Sequence, residues 1–403
     1  MVWLWPVCRQ ESSNTKPRVV RQMDWRIPLF KIYWDQEDIE MVKEAISRGM
    51  SWAIGPNIDK FEEMLSQYVG MKYATVFNSG TSALHAVLLA CGIGPGDEVI
   101  VPSFTFIATA NAPLFVGARP VFADIEAKTY GLDPEDVERK ITGKTKAIMP
   151  IHYGGMPCLI TELKGIAERH NLLLIEDAAE SLGATVEGKK VGGFGDAAIL
   201  SFCSNKVVTT GEGGAVVTNS ADIYEKLRLI RSHGRAETAN YFSSTEYMDY
   251  VTLGYNFRMS DITAALGIAQ LEKIDTLIDK RRRNADMLSA RLSRIAGIEA
   301  PRLPDNFSHV YQMYTIRVNE GKEIRDALSA YLAGQSIMTK VYFHPVHQAH
   351  FYRNKLGYKC DLPITESLAQ QVLTLPMYPA LTEHEIDSVA AQVAAFFSRG
   401  LQK

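Results

Sequence analysis

The sequence predicts an α/β protein, with a large domain built on a mostly parallel β-sheet between helices and a smaller α+β domain towards the C-terminus. Two observations predict this architecture. Between residues 73 and 233, short β-rich runs alternate with helical runs, which is typical of parallel strands joined by crossover helices. Several of the β-rich runs are apolar throughout, as expected where helices cover both faces of a sheet.

The elements of the large sheet can be placed in order along the chain. Strands are predicted at 74–77, 99–102, 121–123, 147–150, 172–175, 198–201 and 215–218. Residues 82–91 are apolar almost all round, which predicts a buried helix, whereas 160–170 show an apolar stripe with a 3.6-residue period. The glycines at 92–96 and 211–214 lead into strands rather than helices, so they predict turns and not nucleotide-binding loops.

The domain limits follow from a change in pattern near residue 280. A long helix is predicted over 259–278, and it leads into a charged run at 280–283 that we interpret as a solvated helix face. Beyond it, strands are predicted at 313–318 and 338–343, and helices at 322–332 and 383–398. We therefore predict a tail of unknown role at 1–25, a large domain at 26–275 and a small domain at 276–403.

Composition excludes several classes of protein. The 403 residues are 46% hydrophobic and 22% charged, as in an ordinary globular protein, and the formal net charge of −3 gives no field that would attract nucleic acid or an anionic membrane. No apolar run approaches the roughly 20 residues of a membrane span. The five cysteines are far apart and lack a C-x-x-C spacing, which favours a reducing, cytoplasmic location. Small molecules and copies of the chain itself are the expected partners.

The first segment with chemical content runs from residue 77 to residue 84, where a strand end, a tight turn and a buried helix follow one another. This geometry directs backbone N–H groups and a helix dipole at one point, which stabilises an anion such as a phosphate. The hydroxyl groups of Ser79, Thr81 and Ser82 add donors. A plain helix N-cap fits the same residues equally well.

The second segment delivers acids to the C-terminal end of an apolar strand, the edge at which ligands bind in open α/β sheets. Glu176, Asp177 and Glu180 lie there. A carboxylate buried beside a pyridinium nitrogen keeps that nitrogen protonated, which pyridoxal 5′-phosphate (PLP) requires of its protein. Asp177 acting only as a helix cap is the alternative.

The third segment places Lys206 just after a strand end, in a loop rich in glycine and hydroxyl groups. A lysine that forms a Schiff base must reach a carbonyl carbon and lose its proton, and a partly desolvated polar site permits both. His344, His347 and His350 match no metal pattern, because of their three-residue spacing and the intervening Pro345. We therefore predict no metal site.

These segments occur in order with a fourth, and together they resemble one family. SGTS at 79–82, EDAAE at 176–180, SFCSNK at 201–206 and GYNFRMSD at 254–261 are similar to motifs of the nucleotide-sugar aminotransferases, the DegT/DnrJ/EryC1/StrS type of fold-type I PLP enzymes. The resemblance runs from about residue 27 to residue 397. It implies a fold-type I PLP-dependent transferase.

The resemblance also implies roles for the residues of the motifs. Lys206 is the catalytic residue that binds PLP as a Schiff base and moves protons between the cofactor and the substrate carbon. Asp177 pairs with the pyridine nitrogen. The phosphate cradle aligns with Gly80, Thr81 and Ser201.

Three further residues complete the implied cofactor site. Phe106 falls where the family stacks an aromatic ring on the cofactor, with an ordinary core aromatic as the alternative. Asn256 matches a residue that the family donates from the neighbouring subunit, which implies a homodimer. Glu180 stands where many relatives carry histidine or glutamine near the 3′-oxygen of PLP, so the chain departs from the family at this position.

The implied reaction moves an amino group from L-glutamate onto a nucleotide-linked keto-sugar in two half-reactions. Within the family, the chain looks most like enzymes that aminate C4 of GDP- or UDP-linked 4-keto-6-deoxy sugars for cell-surface glycans, such as perosamine synthases. One alternative is a PLP-dependent sugar dehydratase, which Lys206 disfavours because the dehydratases carry histidine there. The other is a PLP-fold regulatory protein without enzymatic activity.

Overall fold

The computed structural model describes residues 24–236 and 244–400, so most of the predicted tail at 1–25 lies outside the described residues. The large domain contains the helices α1 Gln36–Ser47, α2 Pro56–Val69, α3 Gly80–Ala90, α4 Ile107–Phe115, α5 Pro134–Lys140, α6 Ile160–His170, α7 Ala221–Arg231 and α8 Asp261–Glu272. Its strands are β1 Tyr73–Phe77, β2 Glu98–Pro102, β3 Arg119–Ala123, β4 Thr145–Ile148, β5 Leu173–Asp177, β6 Thr185–Val186, β7 Lys189–Lys190, β8 Ala197–Ser201 and β9 Gly214–Thr218.

Seven of these strands form the central sheet, in the order β1-β9-β8-β5-β4-β2-β3. The pairs β8–β5, β5–β4, β4–β2 and β2–β3 are parallel, while β9 runs antiparallel to both of its neighbours. The seven strands predicted from the sequence are confirmed, and so is the mostly parallel sheet. Because the other six strands share one direction, their carboxyl ends meet at one edge.

Helices cover both faces of this sheet, as the apolar strands predict. Alternate residues of each strand point to opposite faces, so Leu174 enters one hydrophobic cluster with α2, α6 and α8, and Ile175 enters another with α3, α4 and α7. Both side chains are almost fully buried. The sheet is therefore held rigidly between two apolar layers, and its carboxyl edge is a fixed platform.

The small domain surrounds an antiparallel sheet of three strands. Its elements are α9 Ile274–Leu292, β10 Ile298–Glu299, β11 Phe307–Ser308, β12 Tyr314–Val318, α10 Lys322–Gly334, α11 Pro363–Gln371, β13 Val372–Leu375 and α12 Glu383–Gly400. Short helical turns lie at Tyr153–Gly155, Val346–Gln348 and Phe351–Lys355. The strand β11 pairs with β6 of the large domain, which ties the two parts together.

The helix α9 spans the junction at which the sequence predicts a domain boundary. Ile274 and Leu277 at its start pack in the core of the large domain, whereas Leu288 and Leu292 at its end pack in the core of the small domain. Ile27, which the sequence-based limits place in the large domain, also packs in the small-domain core. The limits 26–275 and 276–403 remain a proposal.

Two predicted elements differ from the structure. The helix predicted over 259–278 is divided at Lys273, whose ammonium binds Asp35 and Asp38 at the start of α1. The strand predicted at 338–343 is wrong, since only Lys340 pairs with the sheet, through a single bridge to Thr374. Phe343, at the end of the predicted strand, packs with Phe104 and Tyr153 of the large domain. None of the helices in the described ranges is long and apolar enough to cross a membrane.

Candidate active site

The sequence motifs converge at the carboxyl edge of the large sheet. Asp177 is the last residue of β5, Ser201 is the last residue of β8, and Gly80 opens α3 directly after β1. Lys206 lies in the loop that joins β8 to β9, where its backbone N–H donates to the Cys203 carbonyl at 2.9 Å. Residues separated by more than a hundred positions in the sequence therefore face one region of the surface.

Lys206 and Glu180 form an ion pair that is largely shielded from solvent. The Nζ atom of Lys206 lies 3.3 Å from Oε1 of Glu180, and the two side chains are 13% and 6% exposed. The other carboxylate oxygen of Glu180 accepts the backbone N–H of Gly154 at 2.9 Å. Because both oxygens of Glu180 are engaged, the amine of Lys206 is held in one place beside the end of β5.

Asp177 carries a buried carboxylate that receives a hydrogen bond on each oxygen. Oδ2 accepts from the hydroxyl group of Thr109 at 2.7 Å, and Oδ1 accepts from the backbone N–H of Ala179 at 3.2 Å. Burial raises the pKa of Asp177 above its ordinary value, although both hydrogen bonds oppose the rise. The proton affinity of this carboxylate is thus raised by burial and lowered by its two hydrogen-bond donors.

The neighbouring Glu176 has a different role. Its fully buried carboxylate accepts the backbone N–H groups of Gly192, Phe194 and Gly195 at 2.7 Å each, and it contacts Nε2 of His152 at 3.0 Å. Burial alone would raise the pKa of Glu176, but His152 and the backbone donors outweigh it and the pKa is lowered. Glu176 is a structural anchor for the loop before β8, which leaves Asp177 and Glu180 for the site.

The residues predicted to form a phosphate cradle lie at the start of α3 and the end of β8. Ser79 caps the helix by accepting the backbone N–H of Ser82 at 3.0 Å, and the first-turn N–H groups of a helix have no partner within the helix. A Cβ atom on Gly80 would lie 3.1 Å from Cβ of Ser201, so the glycine allows the helix end to approach that hydroxyl group closely. Thr81 is exposed in the same turn.

The glycine at the start of β9 contributes to the same close packing. A Cβ atom on Gly214 would lie 2.6 Å from the backbone nitrogen of Gly80, a distance that real side chains do not reach. The glycine-rich turn at 211–214, interpreted from the sequence as a turn, thus allows β9 to lie against the α3 N-terminus.

Phe106 and Asn256 both lie at the surface of this region. Phe106 precedes α4 and is 57% exposed, with its ring centroid 6.5 Å from that of Phe343, so the alternative of a core aromatic does not hold. Asn256 has an exposed side chain, and its carbonyl accepts from the side chain of Asn78 at 3.4 Å. Its segment therefore lies beside the end of β1, next to the cradle.

Three functional neighbours escaped the sequence analysis. The hydroxyl group of Thr109 donates to Asp177. The hydroxyl oxygens of Thr105 and Thr109 are 2.7 Å apart. Gln312, from the segment before β12, donates to the carbonyl of Asn205 and so holds the loop of Lys206. The one sequence signal for these neighbours is the four-residue spacing of Thr105 and Thr109 at a helix start, which predicts that the two side chains lie close together.

The middle histidine of the segment after residue 343, His347, makes structural contacts. Nδ1 of His347 lies 2.7 Å from the hydroxyl group of Ser103, and Nε2 lies 3.1 Å from Oε1 of Glu366. Both ring nitrogens of His347 are therefore engaged by protein groups. Within the described ranges, no group of three or more histidine, cysteine or acidic residues could hold a metal ion.

The donor set fits PLP. A shielded primary amine, a buried carboxylate, an exposed aromatic ring and a helix N-terminus are the groups that this cofactor needs. The first turn of α3 carries no acidic side chain, so nothing there repels a phosphate. Lys206 would hold the cofactor covalently, Asp177 its ring nitrogen, and the cradle of Gly80, Thr81 and Ser201 its phosphate.

Comparison with known proteins decides the family. The model of the DegT/DnrJ/EryC1/StrS aminotransferase family matches residues 33–394. The chain belongs to this family. As a DegT/DnrJ/EryC1/StrS aminotransferase it is a PLP-dependent enzyme, which confirms the predicted cofactor and reaction class.

The relatives of this aminotransferase extend over nearly its whole length. It is 40% identical to the GDP-perosamine synthase of Caulobacter vibrioides over 89% of this chain and 94% of the relative. It is 36% identical to the UDP-N-acetyl-3-dehydro-α-D-glucosamine 3-aminotransferase of Acidithiobacillus ferrooxidans, over 85% of this chain and 89% of the relative.

A solved structure confirms the predicted fold-type I class. The Helicobacter pylori aminotransferase PseC, involved in the biosynthesis of pseudoaminic acid, matches with a TM-score of 0.86 and 29% identity, over 93% of this chain and 99% of that one.

Proposed function

We propose that the enzyme transfers an amino group from L-glutamate to C4 of a GDP- or UDP-linked 4-keto-6-deoxy sugar, as a cytoplasmic homodimer that serves cell-surface glycan biosynthesis. The observation that carries this proposal is the placement of the Lys206 amine, 3.3 Å from Glu180 and shielded from solvent. A lysine so held can form the covalent link to PLP and then act as a base.

The names of the relatives support a nucleotide-linked sugar as acceptor. One is a GDP-perosamine synthase and another is a 3-aminotransferase of a UDP-linked sugar, at 40% and 36% identity. The higher identity favours the perosamine type of acceptor, in which the amino group enters at C4. The identity of the nucleotide and the position of the aminated carbon are therefore the most specific parts of the proposal.

The residues of the chain have separate tasks in this reaction. When bound, PLP supplies an electron sink that stabilises negative charge on the substrate carbon. Lys206 would take the proton from that carbon and return one on the cofactor side. Asp177 holds a proton at the ring nitrogen, and Glu180 orients the amine of Lys206 through their ion pair.

The donor half of the proposal is tested by the visible absorption spectrum of the purified protein with added PLP, before and after L-glutamate. We expect a yellow band that bleaches with glutamate. Absence of a band would contradict the placement of PLP on Lys206. A band that persists with glutamate but bleaches with another amino acid would overturn the donor only.

The acceptor half is tested with the aminated enzyme and separate GDP- and UDP-linked 4-keto-6-deoxy sugars, with the UDP-linked 3-keto sugar as the matched alternative. We expect return of the yellow band, and a 4-amino sugar by mass spectrometry and NMR, with a 4-keto acceptor. A 3-amino product would overturn the position. A deoxygenated product would indicate the dehydratase, and binding of DNA without turnover would indicate the regulator.

A further inference from the structure

The carboxylate of Asp177 stands at the end of a short chain of buried hydroxyl groups. Oγ1 of Thr109 lies 2.7 Å from Oδ2 of Asp177, and Oγ1 of Thr105 lies 2.7 Å from Oγ1 of Thr109. The three residues are at most 2% exposed. Water therefore does not compete for these hydrogen bonds, and protein groups alone decide how the carboxylate is held.

The chain of hydroxyl groups has a direction. A threonine hydroxyl carries one proton, and an ionised carboxylate can only accept, so the proton of Thr109 goes to Asp177. Thr105 must then donate its own proton to Thr109. Hydrogen bonds aligned in this way polarise one another, and in a buried site they favour the ionised form of the terminal carboxylate.

The same element also carries the exposed aromatic ring. Thr109 lies in the first turn of α4, and its backbone N–H donates to the carbonyl of Phe106 at 3.2 Å. The helix start thus fixes Phe106 and the donor to Asp177 relative to one another. A shift of α4 would move both contacts together.

We propose that Thr109, supported by Thr105, is a positioning residue that keeps Asp177 ionised and oriented towards the ring nitrogen of the cofactor. This inference rests on the role proposed above for Asp177. Without the hydroxyl group of Thr109, burial favours the neutral carboxyl group. A proton shared between Asp177 and the ring nitrogen of bound PLP would then stay on Asp177, and the ring would lose the charge that makes it an effective electron sink.

The test compares Thr109→Val, which keeps the shape and removes the hydroxyl group, with Thr109→Ser, which keeps the donor. Thr75→Val is the matched control, because Thr75 is fully buried and its hydroxyl group has no hydrogen-bond partner among the residues that the structure describes. Each protein is loaded with PLP labelled with ¹⁵N in the ring. The ¹⁵N chemical shift reports protonation of the ring nitrogen, and stopped-flow absorbance gives the rate of reaction with glutamate.

We expect the Thr109→Val nitrogen signal to move towards the unprotonated position, and the glutamate rate to fall about 10- to 100-fold, as for loss of a hydrogen bond to a charged group. Thr109→Ser and Thr75→Val should stay close to the unmodified protein. Thr105→Val should shift the signal in the same direction by less, and it tests the chain of hydroxyl groups should Thr109→Val fail to fold.

An unchanged nitrogen shift and rate in Thr109→Val would overturn the inference. Failure of the proposed function looks different, because the unmodified protein would then form no glutamate-sensitive band at all. A general loss of stability is separated by thermal melting, since a merely structural role would lower the melting temperature without moving the nitrogen signal.

Discussion

At the scale of single residues, the site separates groups of similar chemistry by their surroundings. Glu176 and Asp177 are adjacent and equally buried, yet the pKa of Glu176 is lowered and that of Asp177 is raised. Glu176 receives three backbone donors and a histidine, whereas Asp177 receives one hydroxyl group and one N–H. The number of donors decides which acid anchors the loop and which has acceptor capacity left for a ligand.

Replacement of the central amine gives the most direct prediction. Lys206→Ala should abolish the covalent attachment of PLP and turnover while keeping the fold, because the proposal places the covalent link on this amine. Lys226→Ala is the control, since that lysine is half exposed and pairs with Asp222 on α7, away from the proposed site residues. Absorption spectra and circular dichroism distinguish the outcomes, and a Lys206→Ala variant that transaminates at the normal rate would contradict the assignment.

A buried histidine predicts a loss of stability in mild acid. Burial lowers the pKa of His309 to about 3, so the folded protein keeps this ring neutral while the unfolded chain protonates it below about pH 6.5. Stability is therefore full above pH 6.5 and falls as the pH drops towards 3, by about 1.4 kcal/mol at pH 5.5. Urea unfolding of the unmodified protein and of His309→Gln, which keeps an acceptor for the N–H of Tyr311, should show this slope only in the former.

At the scale of elements, the helix starts that follow β1 and β2 each bring part of the proposed site to the carboxyl edge of the sheet. The start of α3 supplies Gly80 and Thr81 of the proposed phosphate cradle, and the start of α4 supplies Phe106 and Thr109. Each begins at the carboxyl edge of the sheet, because a parallel strand followed by a crossover helix always places the turn there. The site is thus a consequence of the strand and helix order.

Because α3 approaches β8 closely, we predict that PLP affinity is sensitive to a side chain added at position 80. Gly80→Ala places a Cβ atom 3.1 Å from Cβ of Ser201. This close contact should displace the helix end from the phosphate and weaken the free energy of PLP binding by about 1 kcal/mol. PLP affinity, measured by fluorescence titration, should weaken about fivefold. Gly143→Ala is the matched control, because a Cβ atom there meets no neighbour within 4 Å. Equal affinities of the two variants would contradict the cradle.

At the scale of the whole molecule, apolar side chains are exposed in the chain segment that precedes Asn256. Tyr247 is 84% exposed, Leu253 is 78% exposed and Val251 is 57% exposed. Exposed apolar side chains of this kind favour coverage by another protein surface, and the proposed homodimer would supply it. Asn256 of one subunit would then complete the site of the other.

Mixed dimers test this arrangement. Lys206→Ala and Asn256→Ala should each be inactive alone, and we expect about one quarter of normal activity after the two are mixed and allowed to exchange subunits. The reason is that half of the dimers are then mixed and each has one intact site. Mixtures that stay inactive although subunit exchange is demonstrated would show that Asn256 acts within its own subunit.

The sequence alone determined the sheet and, through its resemblance to one family, the cofactor. Short-range patterns carry this information, because a strand, a turn and a helix start are each specified by neighbouring residues. The apolar strands predicted that helices cover both faces of the sheet. The glycine and hydroxyl residues around Lys206 predicted a polar loop in which a lysine can form a Schiff base. The helix predicted over 259–278 was divided at Lys273, since its contacts to Asp35 and Asp38 lie far away in the sequence.

Only the tertiary structure decided which side chains hold the reactive groups. Thr109 meets Asp177 across 68 positions, and Gly154 meets Glu180 across 26. The bond from Gln312 to Asn205 spans 107 positions and crosses between the domains. No local pattern encodes such pairs, because they depend on how strands are ordered in the sheet and on how closely the helices pack against it.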